Sequence, residues 1–244
     1  DLAPDHLQST ALSFRTARHA VEFPRQLCVA LTRLSRQEGS TLFMVLLATF
    51  KMLLHSYTGQ EDLWVSTLVA NRTRPETEGL IGLFMNALLL RTHLGGNPTF
   101  REVLRRVRDT TLAAYAHQEI PFEDLLQTLP HIRHPEGTLL CPVLFVLQNA
   151  RQRPVQRATR TLCFLEVDQH AARSDIMATT FDIILELYPR SPGLVGSCIY
   201  KTHLFEAATI DRLLSDFQQL LADIVRCPEQ ALSVYRGQHI AQTP

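Results

Sequence analysis

Leu42 to Tyr57 constrains the fold of this chain more than any other stretch. It reads as a helix, with Ser40 or Thr41 able to cap its start and Thr58-Gly59 able to stop it. Its residues are apolar on nearly every side. A helix with so little polar face is buried on most sides, so the rest of the chain must supply layers to enclose it. The apolar run Leu42 to Ala48 is broken by Thr49 and Lys51, well short of the roughly 20 residues a bilayer span needs. The helix therefore belongs inside a protein core.

The remaining segments supply those layers. His19 to Phe23 alternates like a short strand. Leu27, Ala30, Leu31 and Leu34 follow at helical spacing behind Pro24, and Gly39 stops that helix. Leu63 to Ala70 is a continuous β-prone run, and Ile81 to Leu94 holds a second apolar run, Met85 to Leu90. Asn71 to Gly79 is polar, contains Pro75 and reads as a loop. Gly95-Gly96-Asn97-Pro98 is a turn. Phe100, Val103, Leu104, Val107, Thr111, Ala114 and Tyr115 form one helical stripe, and a short second helix follows from Pro121 to Leu129.

Pro142 to Gln148, Leu162 to Val167, Phe181 to Tyr188 and Leu194 to Tyr200 are strand-like, the last two joined as a hairpin. Arg151 to Arg160 is basic and patternless. Ile210, Leu213, Leu214, Phe217, Leu220, Leu221, Ile224 and Val225 mark a long amphipathic helix. Strands and helices intermix without any internal repeat. The expected class is α/β: a two-layer sandwich, one mixed sheet with helices packed on it.

Charge narrows the function. The 24 basic and 24 acidic residues cancel, which disfavours a sequence-independent nucleic-acid binder and a polybasic membrane-surface protein. The chain opens Asp1-Leu2-Ala3-Pro4 without a signal segment and reads as a piece of something longer. Five widely spaced cysteines (Cys28, Cys141, Cys163, Cys198 and Cys227) read as buried free thiols in a reducing cytoplasm.

The common catalytic signatures are missing. There is no G-x-G-x-x-G, P-loop, Cys-x-x-Cys or G-x-S-x-G; Gly196-Ser197-Cys198 lacks the second glycine. His131 and His134, with Cys141 downstream, do not complete a zinc site, and no metal is expected. His55 and His117 end helices, where the dipole accounts for them. Two segments are odd for purely structural sequence. Ile81-Gly-Leu-Phe-Met-Asn86 places an amide in a buried-looking run, where it must find partners or be destabilising. His117-Gln-Glu-Ile-Pro-Phe-Glu123 crowds polar groups, a proline and an aromatic into one corner between helices. By charge alone that corner reads as a capped turn, with Glu123 and Asp124 facing the second helix's N-terminal dipole.

These segments carry a resemblance. Thr41-Leu-Phe-Met-Val-Leu-Leu-Ala-Thr-Phe, Gly59-Gln-Glu-Asp, Ala70-Asn-Arg-Thr-Arg-Pro75, the Asn86 run and the His117 corner come in the order seen in nonribosomal peptide synthetase condensation domains. Pro142-Val-Leu-Phe-Val-Leu-Gln-Asn149, Thr180-Phe-Asp182-Ile and Leu204-Phe-Glu-Ala-Ala-Thr-Ile-Asp211 continue it, so that it covers roughly residues 15 to 236. The family's domain is about twice as long. It is a V-shaped pair of lobes that each resemble chloramphenicol acetyltransferase, and this chain is similar to the C-terminal lobe only. The family's HHxxxDG motif belongs to the other lobe, and no His-His pair occurs here.

The resemblance implies a division of the chain into an N-terminal linker (1–17), the lobe (18–236) and a C-terminal tail (237–244). It implies no catalytic residue in this chain and no directly bound cofactor. Carrier proteins would present phosphopantetheine arms in a tunnel between the lobes, where an amine attacks a thioester. The partners implied are the N-terminal lobe and those peptidyl or acyl carrier proteins. Phe84 and Asn86 match the family's wall motif, Gln118 to Glu123 its corner, and Asn71 and Arg72 a loop near the cleft. Asn86 favours ordinary condensation over the epimerisation and heterocyclisation subtypes. The alternative is a truncated, non-catalytic docking module.

Two further expectations rest on charge. Arg151, Arg153, Arg157 and Arg160 form a basic segment that suits an acidic carrier protein, although a solvated loop explains it as well. Asp182, at the head of a strand, is expected to pair with an arginine and pin that strand.

Overall fold

The computed structural model describes residues 4–5, 15–128, 142–148, 155–157, 160–162, 180–190 and 193–239. Their architecture is a mixed sheet with a layer of helices on one face. In chain order the elements are β1 (Thr16–Phe23), α1 (Arg25–Gln37), α2 (Leu42–Thr58), β2 (Asp62–Val69), α3 (Pro75–Glu78), β3 (Asn86–His93), α4 (Phe100–Ala116) and α5 (Phe122–Thr128). They continue as β4 (Val143–Leu147), β5 (Val155–Arg157), β6 (Arg160–Leu162), β7 (Ile183–Arg190), β8 (Gly193–Lys201), α6 (Ala207–Arg226) and α7 (Leu232–His239).

The six-stranded sheet has the order β1-β8-β7-β4-β2-β3. Two antiparallel groups, β1-β8-β7 and β2-β3, meet through the parallel strand β4. β4 pairs with β7 along its whole length, from Val143–Ile183 to Leu147–Leu187. Against β2 it registers at Ser66–Leu144 alone.

Side chains alternate across a strand, so neighbours in sequence enter different layers. Val143, Phe145, Ile183, Leu185, Leu187, Cys198 and Tyr200 join the main core with the helices. Leu144, Val146, Ile184 and Ile199 are buried on the opposite face with Phe181. Both faces of the central strands are therefore apolar, which is why these segments read as continuous hydrophobic runs.

The helix that constrains the fold is enclosed as its composition requires. Thr41 Oγ1 accepts the Met44 N–H, and Gly59 ends α2 at φ 69°. Residues Phe43 to Leu54 are all buried. Phe50 lies 5.4 Å from the Phe145 ring and 5.6 Å from Phe217, and Phe217 meets Phe23 edge-on at 5.9 Å. This aromatic chain ties α2 to β4, α6 and β1. Among the described residues no single helix is long and apolar enough to cross a membrane; α1 and α2 satisfy length and composition only as a pair bent by 103°.

Lys51, the polar interruption of that helix, is fully buried. Its Nζ donates to the Leu90 carbonyl and to Thr92 Oγ1, both at 2.7 Å, and so fastens α2 to β3. Lys51→Met keeps the aliphatic bulk and leaves those oxygens without this donor. It is expected to destabilise the fold by about 2–3 kcal/mol, read as a lower denaturation midpoint at an unchanged m-value.

Several boundaries differ from those expected. β1 starts at Thr16, inside the expected linker, and Asp5 also takes part in the fold: its carboxylate accepts the Glu206 N–H at 2.8 Å and the Thr209 hydroxyl at 3.0 Å at the start of α6. The Asn71–Gly79 loop contains a one-turn helix begun by Pro75. The segment read as patternless forms a β5-β6 hairpin, with Arg157 opposite Arg160. α7 crosses the boundary drawn at residue 236, anchored by buried Leu232 and Tyr235. The thiols also differ. Burial pushes Cys198 up to about 12, Cys28 is half-buried, and Cys227 is exposed rather than buried. Cys141 and Cys163 lie outside the described residues.

Candidate functional site

The residues singled out in the Asn71 loop and the His117 corner converge where β2 and β4 end. The chain leaves β2 through Asn71, whose φ is 50°, a left-handed conformation that asparagine tolerates better than most residues. Arg72 then organises the loop. Its guanidinium donates to the Thr77 carbonyl and to the Gly82 carbonyl (3.3 Å), and it lies 4.3 Å above the Phe84 ring. Folded back on Arg72 in this way, the loop presents Leu80, Ile81 and Leu83 to solvent.

Asn86 begins β3 directly after that loop. Its Nδ2 donates to the carbonyls of Gln118 (2.9 Å) and Ile120 (2.6 Å). Its Oδ1 accepts the N–H groups of Phe122 (3.1 Å) and Ala87 (3.0 Å). This amide, odd within an apolar run, is thus fully occupied in clasping the corner between α4 and α5. The Thr73 hydroxyl adds a second link, donating to Glu119 Oε1 at 3.0 Å. Loop, strand and corner form one connected unit.

A cavity of about 400 Å³ lies beside this unit. Thr67, Asn71, Arg72, Thr73, Tyr115 and Gln118 provide its polar wall, against Phe43 and Leu147. The Asn71 Oδ1 is buried and accepts no hydrogen bond among the described residues. Burial raises the Tyr115 hydroxyl pKa, so that group stays protonated at neutral pH. Among the described residues no imidazole, carboxylate or thiol lines the cavity. The wall can hold polar groups by hydrogen bonding, but it offers no general base.

Of the residues expected at the site, Asn71, Arg72 and Gln118 come together in this cavity. Phe84 and Asn86 support it from behind without lining it. Glu123 is exposed in the first turn of α5, where a carboxylate suits the helix dipole. Thr67 and Tyr115 also line it, though each lies in an apolar sequence pattern that gives no sign of a polar task. Arg151 and Arg153 lie outside the described residues, as do His131 and His134. Among the described residues no group of three metal-ligating side chains occurs.

Asp182 stands apart, beyond β4. Its partner is Lys201, not an arginine: Nζ donates to Oδ1 at 2.6 Å. The Asp182 N–H also donates to the Pro142 carbonyl, and its carbonyl accepts the Lys201 N–H. The residue therefore joins the starts of β4 and β7 to the end of β8. Asp182→Ala is expected to destabilise the fold by about 1–2 kcal/mol, seen as a lower melting temperature. A variant melting with the parent would show that the pair pins nothing.

A family model described as Condensation domain matches residues 1–237. A linear gramicidin synthase of Brevibacillus parabrevis is 43% identical over 217 residues, 89% of this chain and 4% of that protein. Surfactin synthase subunit 1 of Bacillus subtilis (strain 168) is 34% identical over 235 residues, 96% of this chain and 6% of that protein. The chain thus spans a small part of these curated relatives. Among solved structures, holo-AB3403, a four domain nonribosomal peptide synthetase bound to AMP and glycine, superposes with a TM-score of 0.79 at 19% identity, covering 95% of this chain and 18% of that one. The first condensation domain of the calcium-dependent antibiotic synthetase, in complex with a substrate analogue, gives 0.69 at 20% identity, covering 89% and 46%. The six-stranded mixed sheet with its helical layer is the fold these structures share. With nearly its whole length matched by the family model, and with motifs in the family's order, the chain belongs to the condensation domain family.

Proposed function

We propose that this chain is the C-terminal lobe of an amide-forming condensation domain, supplying one wall of the tunnel in which a carrier-bound amine attacks a carrier-bound acyl or peptidyl thioester. In that reaction the amine nitrogen bonds to the thioester carbonyl carbon and the carbon–sulfur bond breaks. The departing thiol takes up the proton that the nitrogen gives up. The exchange is downhill, so much of the acceleration comes from holding the two reactants in register.

The observation that carries this reading is the apolar loop tip. Ile81 is fully exposed and Leu83 nearly so, with Leu80 next to them in the chain, and Ile120 of the adjoining corner is also exposed. A contiguous exposed apolar patch marks a surface built for a partner, and Arg72 and Asn86 hold this one in a fixed shape. The N-terminal lobe is the partner it suits. The 400 Å³ cavity next to it has neutral hydrogen-bonding groups and an arginine, a lining matched to an amide-bearing phosphopantetheine arm. Its lack of an imidazole or carboxylate fits a wall whose reactive base comes from the facing lobe's HHxxxDG motif. Asn86 supports the ordinary condensation subtype.

The test is reconstitution. This chain and a separately produced N-terminal lobe, mixed with carriers loaded with thioester and with amine, are expected to form amide, and neither lobe alone does so. Amide formation by this chain alone at enzyme-like rates would overturn the reading, as would its absence from a mixture in which the lobes demonstrably associate.

A further inference from the structure

A second concavity, larger than the first, lies between α1 and the end of the β7-β8 hairpin. Its volume is about 760 Å³. Leu31, Leu42 and Leu194 line it together with Cys28 and Val29, and Val29 is 60% exposed although it sits on a helix that packs against the core. Arg33 and Arg36, three residues apart and so on one face of α1, border it on one side. Arg190, at the end of β7, borders it on the other.

None of these three arginines is in an ion pair or a side-chain hydrogen bond among the described residues. The acidic residue at the end of α1, Glu38, is already paired with Arg101 at 2.9 Å. In a chain whose formal charge is zero, this is a local surplus of positive charge beside an apolar trough. Among the described residues no carboxylate or imidazole lines the trough. Burial raises the Cys28 thiol pKa, which keeps it protonated and unreactive. The groove is equipped for recognition and not for chemistry.

We infer that this groove is a docking site for an acidic amphipathic helix of a partner protein. An apolar trough flanked by cations on both sides matches a helix whose leucine stripe enters the groove and whose flanking glutamates meet Arg33 and Arg36 on one side and Arg190 on the other. The groove does not depend on the amide-forming reading. It is separated from the 400 Å³ cavity by the first turn of α2, where Leu42 faces the groove and Phe43 faces the cavity.

The probe is a fluorescein-labelled helical peptide with leucines at i, i+4 and i+7 and glutamates on both flanks, titrated with this chain and followed by fluorescence anisotropy. Saturable binding at micromolar concentration is expected, weakening as salt rises. Arg36→Glu combined with Arg190→Glu should weaken it by about tenfold or more, the effect of losing close charge pairs at an interface. Val29→Glu should abolish it; this side chain is already exposed, so an unchanged melting temperature shows that the variant folds. A peptide with lysine in place of glutamate should not bind. Three results would each overturn the inference. One is the absence of saturable binding, or binding that survives the charge reversals. Another is self-association of the chain that Val29→Glu abolishes, which makes a second copy the occupant. The third is recruitment to phosphatidylserine vesicles with no binding of the peptide. Reconstituted amide formation is measured separately, so the two proposals can fail independently.

Discussion

Replacing Gly196 with alanine is expected to destabilise the fold by about 3 kcal/mol or more, the upper range for overpacking a filled interior. Gly196 lies in β8 between two partners, opposite Leu187 of β7 and Val21 of β1. A Cβ at that position would fall 2.2 Å from the Glu186 carbonyl oxygen and 2.7 Å from Leu187 Cδ2. The side-chain atom could swing aside, but the carbonyl is backbone in a paired strand. Relief requires moving β7 or β8, which carry the sheet's antiparallel half. For a chain of this size, each kcal/mol lowers the melting temperature by about 2–4 °C, so a fall on the order of 10 °C is anticipated. Gly79→Ala is the control: an added Cβ there meets nothing within 4 Å, and stability should stay within about 0.5 kcal/mol of the parent. Equal melting temperatures for the two variants would refute the account of Gly196.

Asn86→Ala should match Lys51→Met in its effect on stability and be the variant most visible in function. It removes donors from two backbone carbonyls and an acceptor from the Phe122 N–H. These groups are partly shielded, so the loss is expected to be about 2–3 kcal/mol. Amide exchange at Phe122 should accelerate well beyond that of the β7-β8 ladder. Asn86→Asp is informative because it keeps the acceptor and places a carboxylate against the Gln118 and Ile120 carbonyls. It should therefore be no better than alanine. In the reconstituted reaction, a corner displaced by about 1 Å is expected to reduce amide formation by up to about 100-fold. Unchanged exchange at Phe122 would show that the clasp does not hold the corner.

The parts of this fold that were legible in sequence are those decided locally. The Thr41 cap, the Gly59 stop and the stripe from Phe100 to Tyr115 each rest on residues a few positions apart, and the structure places them as read. The central strands were legible because both their faces are apolar. The elements that were missed depend on distant partners. α7 contributes two buried anchors, Leu232 and Tyr235, too few to set a period. The β5-β6 hairpin has neither a glycine turn nor an alternating pattern to announce it.

At the site, motif order brought Asn71, Arg72 and Gln118 together, whereas the occupation of Asn86 depends on carbonyls more than 30 residues downstream. One compositional signal was available. Only two of the 24 basic residues are lysines, Lys51 and Lys201, and both are held inside the fold by specific oxygens. A compact ammonium on a flexible stem brings three rotatable donors, enough to reach two oxygens at once as Lys51 does.

The lone Ser66–Leu144 register has a mechanical consequence. The sheet consists of two plates joined at a seam, one made of β1, β8, β7 and β4, the other of β2 and β3. Thr67 and Leu147, which both line the smaller cavity, ride on different plates. A slip along the seam would alter the shape of that cavity while both ladders stay intact, and α2 opposes it by touching both plates, Phe50 against Phe145 of β4 and Lys51 bonded to β3.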